Sequence, residues 1–310
     1  MEIVEKIYDV IVIGGGPGGL SAALYSSRAD LDTLILDAGL PGGQLNNTEK
    51  IENYAGFSSI SGSDLAQEMY KGALQFGAEY TFGPVDRVEN TNEYKQVISG
   101  KKIYRSHAVI IATGSENKKL NVSGEEEFKG RGISYCAVCD AVFYRNKEVV
   151  VVGGGNSAVE EGSYLSQFAD KVTLIHRRDQ LKAQKILQDR AFANDKMEFI
   201  WDTEVEEIMG DSFVNELTLY NHPTGERSQF KTDGIFIYIG LVPNTRPFAD
   251  LGILNEEGWI ETDEQMRTSI EGIYAVGDVR QTALRQVATA VGDGSVAGND
   301  VFNYIQSIKE

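Results

Sequence analysis

Apolar residues in this chain gather into short unbroken runs, not into strict alternation or heptads. The runs are Val10–Ile13, Thr33–Leu36, His107–Ile111, Val149–Val152, Val172–Ile175 and Gly234–Ile239. A run of this length, bounded by Gly or charged residues, predicts a strand buried on both faces. Helical patterns such as Leu20–Ser27 follow, so the order of elements predicts parallel α/β sheets. A strand, a Gly-rich turn, a helix and a second strand occur at Val10–Leu36 and again at Val149–Ile175. Such a duplication predicts two folds of the same kind in one chain. Alternating stretches between Glu79 and Tyr104, and from Val214 to Phe230, predict antiparallel excursions. No Pro-rich or Ser-rich linker marks a boundary. The landmarks Ile110–Gly114 and Ile239–Asn244 place crossovers near Glu116 and Asn244. The expected architecture is therefore α/β, with two Rossmann-like nucleotide-binding domains of three-layer ββα type. Residues 117–244 are inserted into a discontinuous domain made of 1–116 and 245–310.

Composition narrows the class. The 310 residues are 42% hydrophobic and 24% charged, which suits a folded globular protein. There are 29 Lys and Arg against 46 Asp and Glu, a formal charge of −17. That surface repels nucleic acid and anionic membrane, and neither is expected as a partner. The acidic start runs directly into Val10–Ile13 with no basic segment before it, and no apolar run approaches the roughly 20 residues that span a bilayer. A cytoplasmic protein is expected. The 2 cysteines are too few for a disulfide scaffold and suit a reducing compartment, where paired thiols are catalytic or metal-bound.

Chemistry concentrates in a few motifs. Gly14, Gly16 and Gly19 carry G-x-G-x-x-G spacing, with Pro17 inside it, between a strand and a helix. Such a turn lets backbone N–H groups approach a pyrophosphate at a helix N-terminus. Asp37 ends the next strand, where a carboxylate accepts hydrogen bonds from ribose hydroxyls. A purely structural glycine turn is the competing reading. The second copy has Gly153, Gly155 and Ala158 in the G-x-G-x-x-A form and opens a helix carrying Glu160 and Glu161. Its second strand ends in His176-Arg177-Arg178, with Lys182 beyond, and no acid holds the ribose position. Arginine forks pair with phosphate oxygens, so this copy is expected to prefer a 2′-phosphorylated cofactor, NADPH, over NADH. A solvated charge run is the alternative. Cys136-Ala137-Val138-Cys139 can close a disulfide, and a helix N-terminus beside it would lower one thiol's pKa. Structural zinc needs four ligands, and His107, His176 and His222 are scattered, so no metal is expected. A reduced structural pair stays open, although Asp140 would then lack a role as proton donor or acceptor. Gly277-Asp278, Arg285-Gln286 and Gly292-Asp293-Gly294 each read as turn chemistry. Taken with the Gly14 motif, they suggest a second contact to a long dinucleotide through Asp278.

Together these motifs resemble the low-molecular-weight thioredoxin reductases. The resemblance rests on Gly14–Gly19, Pro41-Gly42-Gly43-Gln44-Leu45, Ile51-Glu52-Asn53-Tyr54, Ala112-Thr113-Gly114, Cys136–Asp140, Gly153–Ala158, His176-Arg177-Arg178, Gly277-Asp278 and Arg285-Gln286, and covers nearly the whole chain. It implies FAD on the first fold, held by the Gly14 loop and Asp37, by Gly43, Gln44, Leu45 and Asn53, and by Ala112, Thr113 and Gly114. Gly277, Asp278, Arg285, Gln286 and Val287 complete that set. NADPH is implied on the second fold, at Gly153, Gly155, Asn156, Ser157 and Ala158, with Glu160, His176, Arg177, Arg178 and Lys182. Cys139 would face the flavin, Cys136 would attack the disulfide of thioredoxin, and Asp140 would be the acid. Ala141 and Lys182 stand where the family commonly has Gly and Arg. The resemblance also implies a homodimer, and a rotation of one domain against the other about hinges near Glu116 and Asn244. A flavin-dependent dithiol oxidase and a nucleotide-responsive binding protein without turnover stay open. The glutathione reductase type places its Cys pair after the first ribose acid, and ferredoxin–NADP reductases lack the pair, so neither fits.

Overall fold

The computed structural model describes residues 1–48, 51–91 and 93–309. They form two compact units, one of residues 1–116 with 242–310 and one of residues 117–241. In the first unit the order is β1 (Glu2–Ile13), α1 (Pro17–Arg28), β2 (Thr33–Asp37), α2 (Gly62–Leu74), β3 (Glu79–Phe82), β4 (Arg87–Asn90), β5 (Lys95–Ser99) and β6 (Lys102–Ile111). A short β7 (Ser115–Asn117) leads into the second unit: β8 (Ile133–Ser134), α3 (Ala137–Asp140), β9 (Glu148–Gly153), α4 (Asn156–Leu165), β10 (Lys171–Ile175), α5 (Lys185–Phe192) and β11 (Met197–Ile200). Then come β12 (Thr203–Gly210), β13 (Val214–Asn221), β14 (Arg227–Lys231), β15 (Gly234–Tyr238) and β16 (Leu241–Pro243). The chain returns to the first unit for β17 (Ile273–Ala275) and α6 (Val287–Lys309).

The first sheet runs β3-β2-β1-β6-β5-β4, with β17 also on β6. Val10, Ile11 and Val12 are fully buried, as a central parallel strand requires. β1 pairs in parallel with both β2 and β6, so its C-terminal end opens at the same edge as theirs. Helices α1 and α6 cover one face, and they approach closely because glycines face backbone. A Cβ on Gly294 would lie 2.2 Å from the Gly18 carbonyl oxygen, and one on Gly298 2.6 Å from that of Ala22. Val12, Leu20, Ile35, Ile110, Ala297 and Val301 fill this core. The second unit repeats the scheme with β11-β10-β9-β15-β8, all parallel, and adds the antiparallel β12-β13-β14. Its core joins Val149, Val151, Val159, Leu174 and Phe236.

Three expectations are corrected. The excursion expected from Glu79 is antiparallel only in β4, β5 and β6, because β3 adds to β2 in parallel. β1 begins at Glu2, well before its apolar run, and a register shift between Ile3 and Ile7 accommodates the extra length against β6. Gly292-Asp293-Gly294, read as a turn, lies inside α6, where Gly294 serves the helix crossing and not a change of direction.

Candidate active site

At the edge of the first sheet, β1 ends in Gly14, whose φ of 104° is open to glycine. A Cβ there would lie 2.4 Å from the Ala112 carbonyl oxygen, so the Gly14 and Ala112-Thr113-Gly114 loops touch through backbone. Gly16 caps α1 without any side-chain hydrogen bond, and Pro17 occupies the first turn. The first N–H groups of a 12-residue helix are thus left without a side-chain acceptor, and nothing lies within 4 Å of where a Gly16 Cβ would be. Gly19 is required by the opposite circumstance, since its Cβ would meet the Gly14 carbonyl oxygen at 1.9 Å. Asp37 stands beside this loop: its Oδ2 lies 2.7 Å from a Cβ on Gly15 and accepts a hydrogen bond of 3.0 Å from the Tyr80 hydroxyl. Burial and the Asp37 charge push the Tyr80 phenol up.

The other candidates of this unit converge on the same loop to different degrees. Gly43 backs onto Gly16, and the Gly42 N–H donates to the Gly15 carbonyl at 2.7 Å. Leu45 is buried, packed with Ile51, Leu65 and Ala66 against Val287, while Gln44 is exposed and accepts from Asn47. Asn53 donates to the Gln286 side chain at 3.1 Å, which joins two motifs 233 residues apart. Ala290 bridges Gly18 and Gly277. Asp278 is largely removed from solvent, and burial, opposed by Arg285, raises its carboxyl to about 6. The Arg285 guanidinium stacks 4.0 Å over Trp259.

In the second unit Gly153 packs against backbone and side chain, a Cβ lying 2.4 Å from the Tyr238 carbonyl oxygen and 2.7 Å from Ala158 Cβ. The alanine in place of a third glycine keeps this approach possible. Gly155 caps α4 without a side-chain bond and has open space beside it. Gly154 is held under the His176 ring, 2.2 Å from a Cβ to Cε1. His176 is only 8% exposed, and its Nε2 is buried without a partner among the described residues. Burial, followed by the Arg178 and Arg177 charges, holds its pKa below the usual range. Lys182 N–H donates to the Gly154 carbonyl at 2.7 Å, and Asn156 Oδ1 accepts from the Gln184 N–H at 2.8 Å, so the segment after β10 folds back over the Gly-rich loop. Arg177, Arg178 and Lys182 are exposed, and none is ion-paired with a described residue. Ser157 and Glu160 lie exposed on the first turns of α4.

Cys136 and Cys139 are disulfide-bonded, with Cα atoms 5.3 Å apart, in the turn that opens α3. The Cys139 N–H points at Cys136 Sγ from 3.2 Å. Both sulfurs' residues are half-buried, and Val138, Val142 and Phe143, near them in sequence, are exposed. Burial raises the Asp140 carboxyl, while a 2.6 Å hydrogen bond from Ser134 opposes the shift. Sequence reasoning missed Ser134, Tyr238 and Tyr80. Tyr238 accepts the Ala137 N–H at 2.5 Å. Strand register brings Tyr238 and Tyr80 to their partners, so no spacing signals them, while Ser134 bonds residues only two and six positions on but belongs to no motif.

Both loops fit dinucleotides on the same grounds: an uncapped helix N-terminus, glycines that bring backbone close, and open space at the central glycine. The first adds a carboxylate beside the loop, and the second adds cations not ion-paired with any described residue and a buried imidazole whose Nε2 has no partner among them. A disulfide closed within one turn, with two such loops, fits a nucleotide-dependent disulfide oxidoreductase. The family model described as pyridine nucleotide-disulphide oxidoreductase matches residues 8–294, and the chain belongs to that family. A thioredoxin reductase of Listeria innocua is 57% identical over 311 residues, covering 100% of this chain and 98% of that protein. One of Bacillus subtilis is 56% identical over 307 residues, covering 99% and 97%. The crystal structure of the thioredoxin reductase from Streptococcus pyogenes is 52% identical, with a TM-score of 0.93 over 98% of this chain and 100% of that one.

Proposed function

We infer that the protein is a thioredoxin-disulfide reductase, passing electrons from NADPH through FAD and the Cys136–Cys139 disulfide to oxidised thioredoxin. The observation that carries this reading is the disulfide itself, half-buried and followed directly by an acid, in a chain with two Gly-rich loops that fit dinucleotides. FAD would be held by the Gly14 loop, Asp37, Asn53 with Gln286, and the Asp278 turn. NADPH would be held by the Gly153 loop, with Arg177, Arg178 and Lys182 toward its 2′-phosphate. When bound, the flavin supplies the two-electron step between nicotinamide and disulfide.

The chain's own residues then do the rest. Two electrons and two protons break the Cys136–Cys139 bond into a dithiol. The Cys139 N–H beside Cys136 Sγ favours the thiolate at Cys136, which attacks the partner disulfide. One partner sulfur leaves as a thiolate and takes the proton held by Asp140, whose raised pKa keeps it available to higher pH than an ordinary carboxyl. Cys139 next gives its proton to Asp140 and attacks Cys136 Sγ, closing the internal disulfide and releasing the second partner sulfur, which takes that proton. The cysteines and the Gly153 loop belong to one compact unit and the Gly14 loop to the other. The reading therefore includes reorientation of one unit during the cycle. It also includes a homodimer working in the cytoplasm.

The alternative, a dithiol oxidase, is separated by one assay. NADPH oxidation should require oxidised thioredoxin and yield no peroxide. Peroxide formed from small dithiols, with thioredoxin inert, would overturn the assignment. In the same assay, undiminished turnover by enzyme whose two units are covalently tethered would rule out the motion.

A further inference from the structure

We propose that Ser134 is a positioning residue that couples the proton on Asp140 to the backbone of Cys136. This rests on the reading of Asp140 as the acid of disulfide reduction and deepens it. Ser134 ends β8, is 4% exposed, and sits opposite Phe236 in the parallel pairing of β8 with β15. Its hydroxyl has three neighbours. Asp140 Oδ2 lies at 2.6 Å, the Cys136 N–H donates to Oγ at 3.1 Å, and the Cys136 carbonyl oxygen lies at 3.4 Å.

A hydroxyl has one proton to give. While Asp140 is a carboxylate, that proton belongs on Oδ2, the nearer and charged acceptor. Once Asp140 is protonated, the acid's own O–H donates to Ser134 Oγ, and the serine proton is released toward the Cys136 carbonyl. The direction of the Ser134–Asp140 hydrogen bond thus reverses with each proton that Asp140 takes or gives, and the Cys136 peptide feels the change on both sides. Tyr238 fixes the next amide, that of Ala137, from β15. Cys136 is therefore held between two strands of one sheet, and Ser134 is the only one of the two holders that also touches the acid.

Other titratable groups face Asp140. Tyr144 is raised by burial to about 12, with Asp140 and Asp233 adding to the shift, and Tyr238 is raised by burial and by Glu161 and Asp140. Both phenols stay neutral in the working range. Glu161, on α4, is raised by burial and Glu160, and its Oε2 has no partner among the described residues, so it must be separated from Asp140 by substitution.

The test is the pH profile of kcat/KM for oxidised thioredoxin, measured on FAD-loaded enzyme with saturating NADPH. An acid catalyst loses activity as pH rises through its pKa. Ser134→Ala removes a charge-assisted hydrogen bond from the carboxylate and a weaker neutral one from the acid, so the falling limb should move to higher pH by about one unit, the difference between the two. Ser134→Gly removes the same hydroxyl and should give the same displacement, and Ser134→Thr should restore the original limb. In an Asp140→Asn background, Ser134→Ala should move nothing. A uniform loss of activity with the limb unmoved would show Ser134 to be merely structural and overturn the proposal alone. Persistence of the limb in Asp140→Asn, or its displacement by Glu161→Gln, would overturn the role of Asp140 and the coupling with it.

Discussion

At the scale of single residues, we propose that charge placement decides which nicotinamide cofactor the second unit takes. Arg177 and Arg178 follow β10, exposed and not ion-paired with any described residue, whereas the first unit ends β2 in the carboxylate of Asp37. A hydrogen bond to a charged group contributes about 1.5–3 kcal/mol, and about 1.4 kcal/mol is tenfold in affinity. Arg177→Ala with Arg178→Ala should raise KM for NADPH at least about tenfold while that for NADH changes little. Equal weakening of both cofactors would refute the assignment. These residues were legible in the sequence because the motif fixes their distance from the Gly-rich turn. Tyr238 was not, since it meets the Ala137 amide through the pairing of β15 with β8, and Ser134 was not, since a serine two residues before a cysteine carries no signal of its own. His176 was legible as part of its charged run, but its packing over Gly154 was not.

Among the elements, the central strands were plain in the sequence because burial on both faces leaves no polar positions to confuse the pattern. Elements with one wet face were harder. β1 carries Glu2, Glu5 and Lys6 ahead of its apolar half, and β3 shows no more alternation than a hairpin strand would. The glycines of α6 were misjudged for a physical reason: glycine marks turns, but it also lets helices cross at backbone distance. The crossing is testable. Gly294→Ala places a methyl 2.2 Å from the Gly18 carbonyl oxygen, immediately after the Gly14–Gly16 turn. Overpacking of this kind costs about 1–3 kcal/mol. The variant should melt several degrees lower and lose FAD more readily during purification. An unchanged melting temperature with full flavin retention would mean that α1 and α6 absorb the methyl and that their contact does not support the loop.

Across the whole molecule, the chain passes between the two units at residues 116–117 and 241–242, and the redox pair shares a unit with the candidate NADPH loop. The internal duplication made both units readable from sequence, since each repeats strand, Gly-rich turn, helix and strand. The formal charge is −17, and no helix among the described residues is long and apolar enough to cross a membrane. We propose one route for electrons: nicotinamide, flavin, Cys136–Cys139, partner disulfide. It is tested most directly by anaerobic titration with NADPH followed by oxidised thioredoxin, with flavin absorbance as the readout. The flavin should bleach with NADPH and recover its colour when thioredoxin is added, whereas Cys139→Ser should bleach and not recover. Recovery of the Cys139→Ser enzyme at the wild-type rate, or failure of the wild-type enzyme to recover without oxygen, would contradict the account.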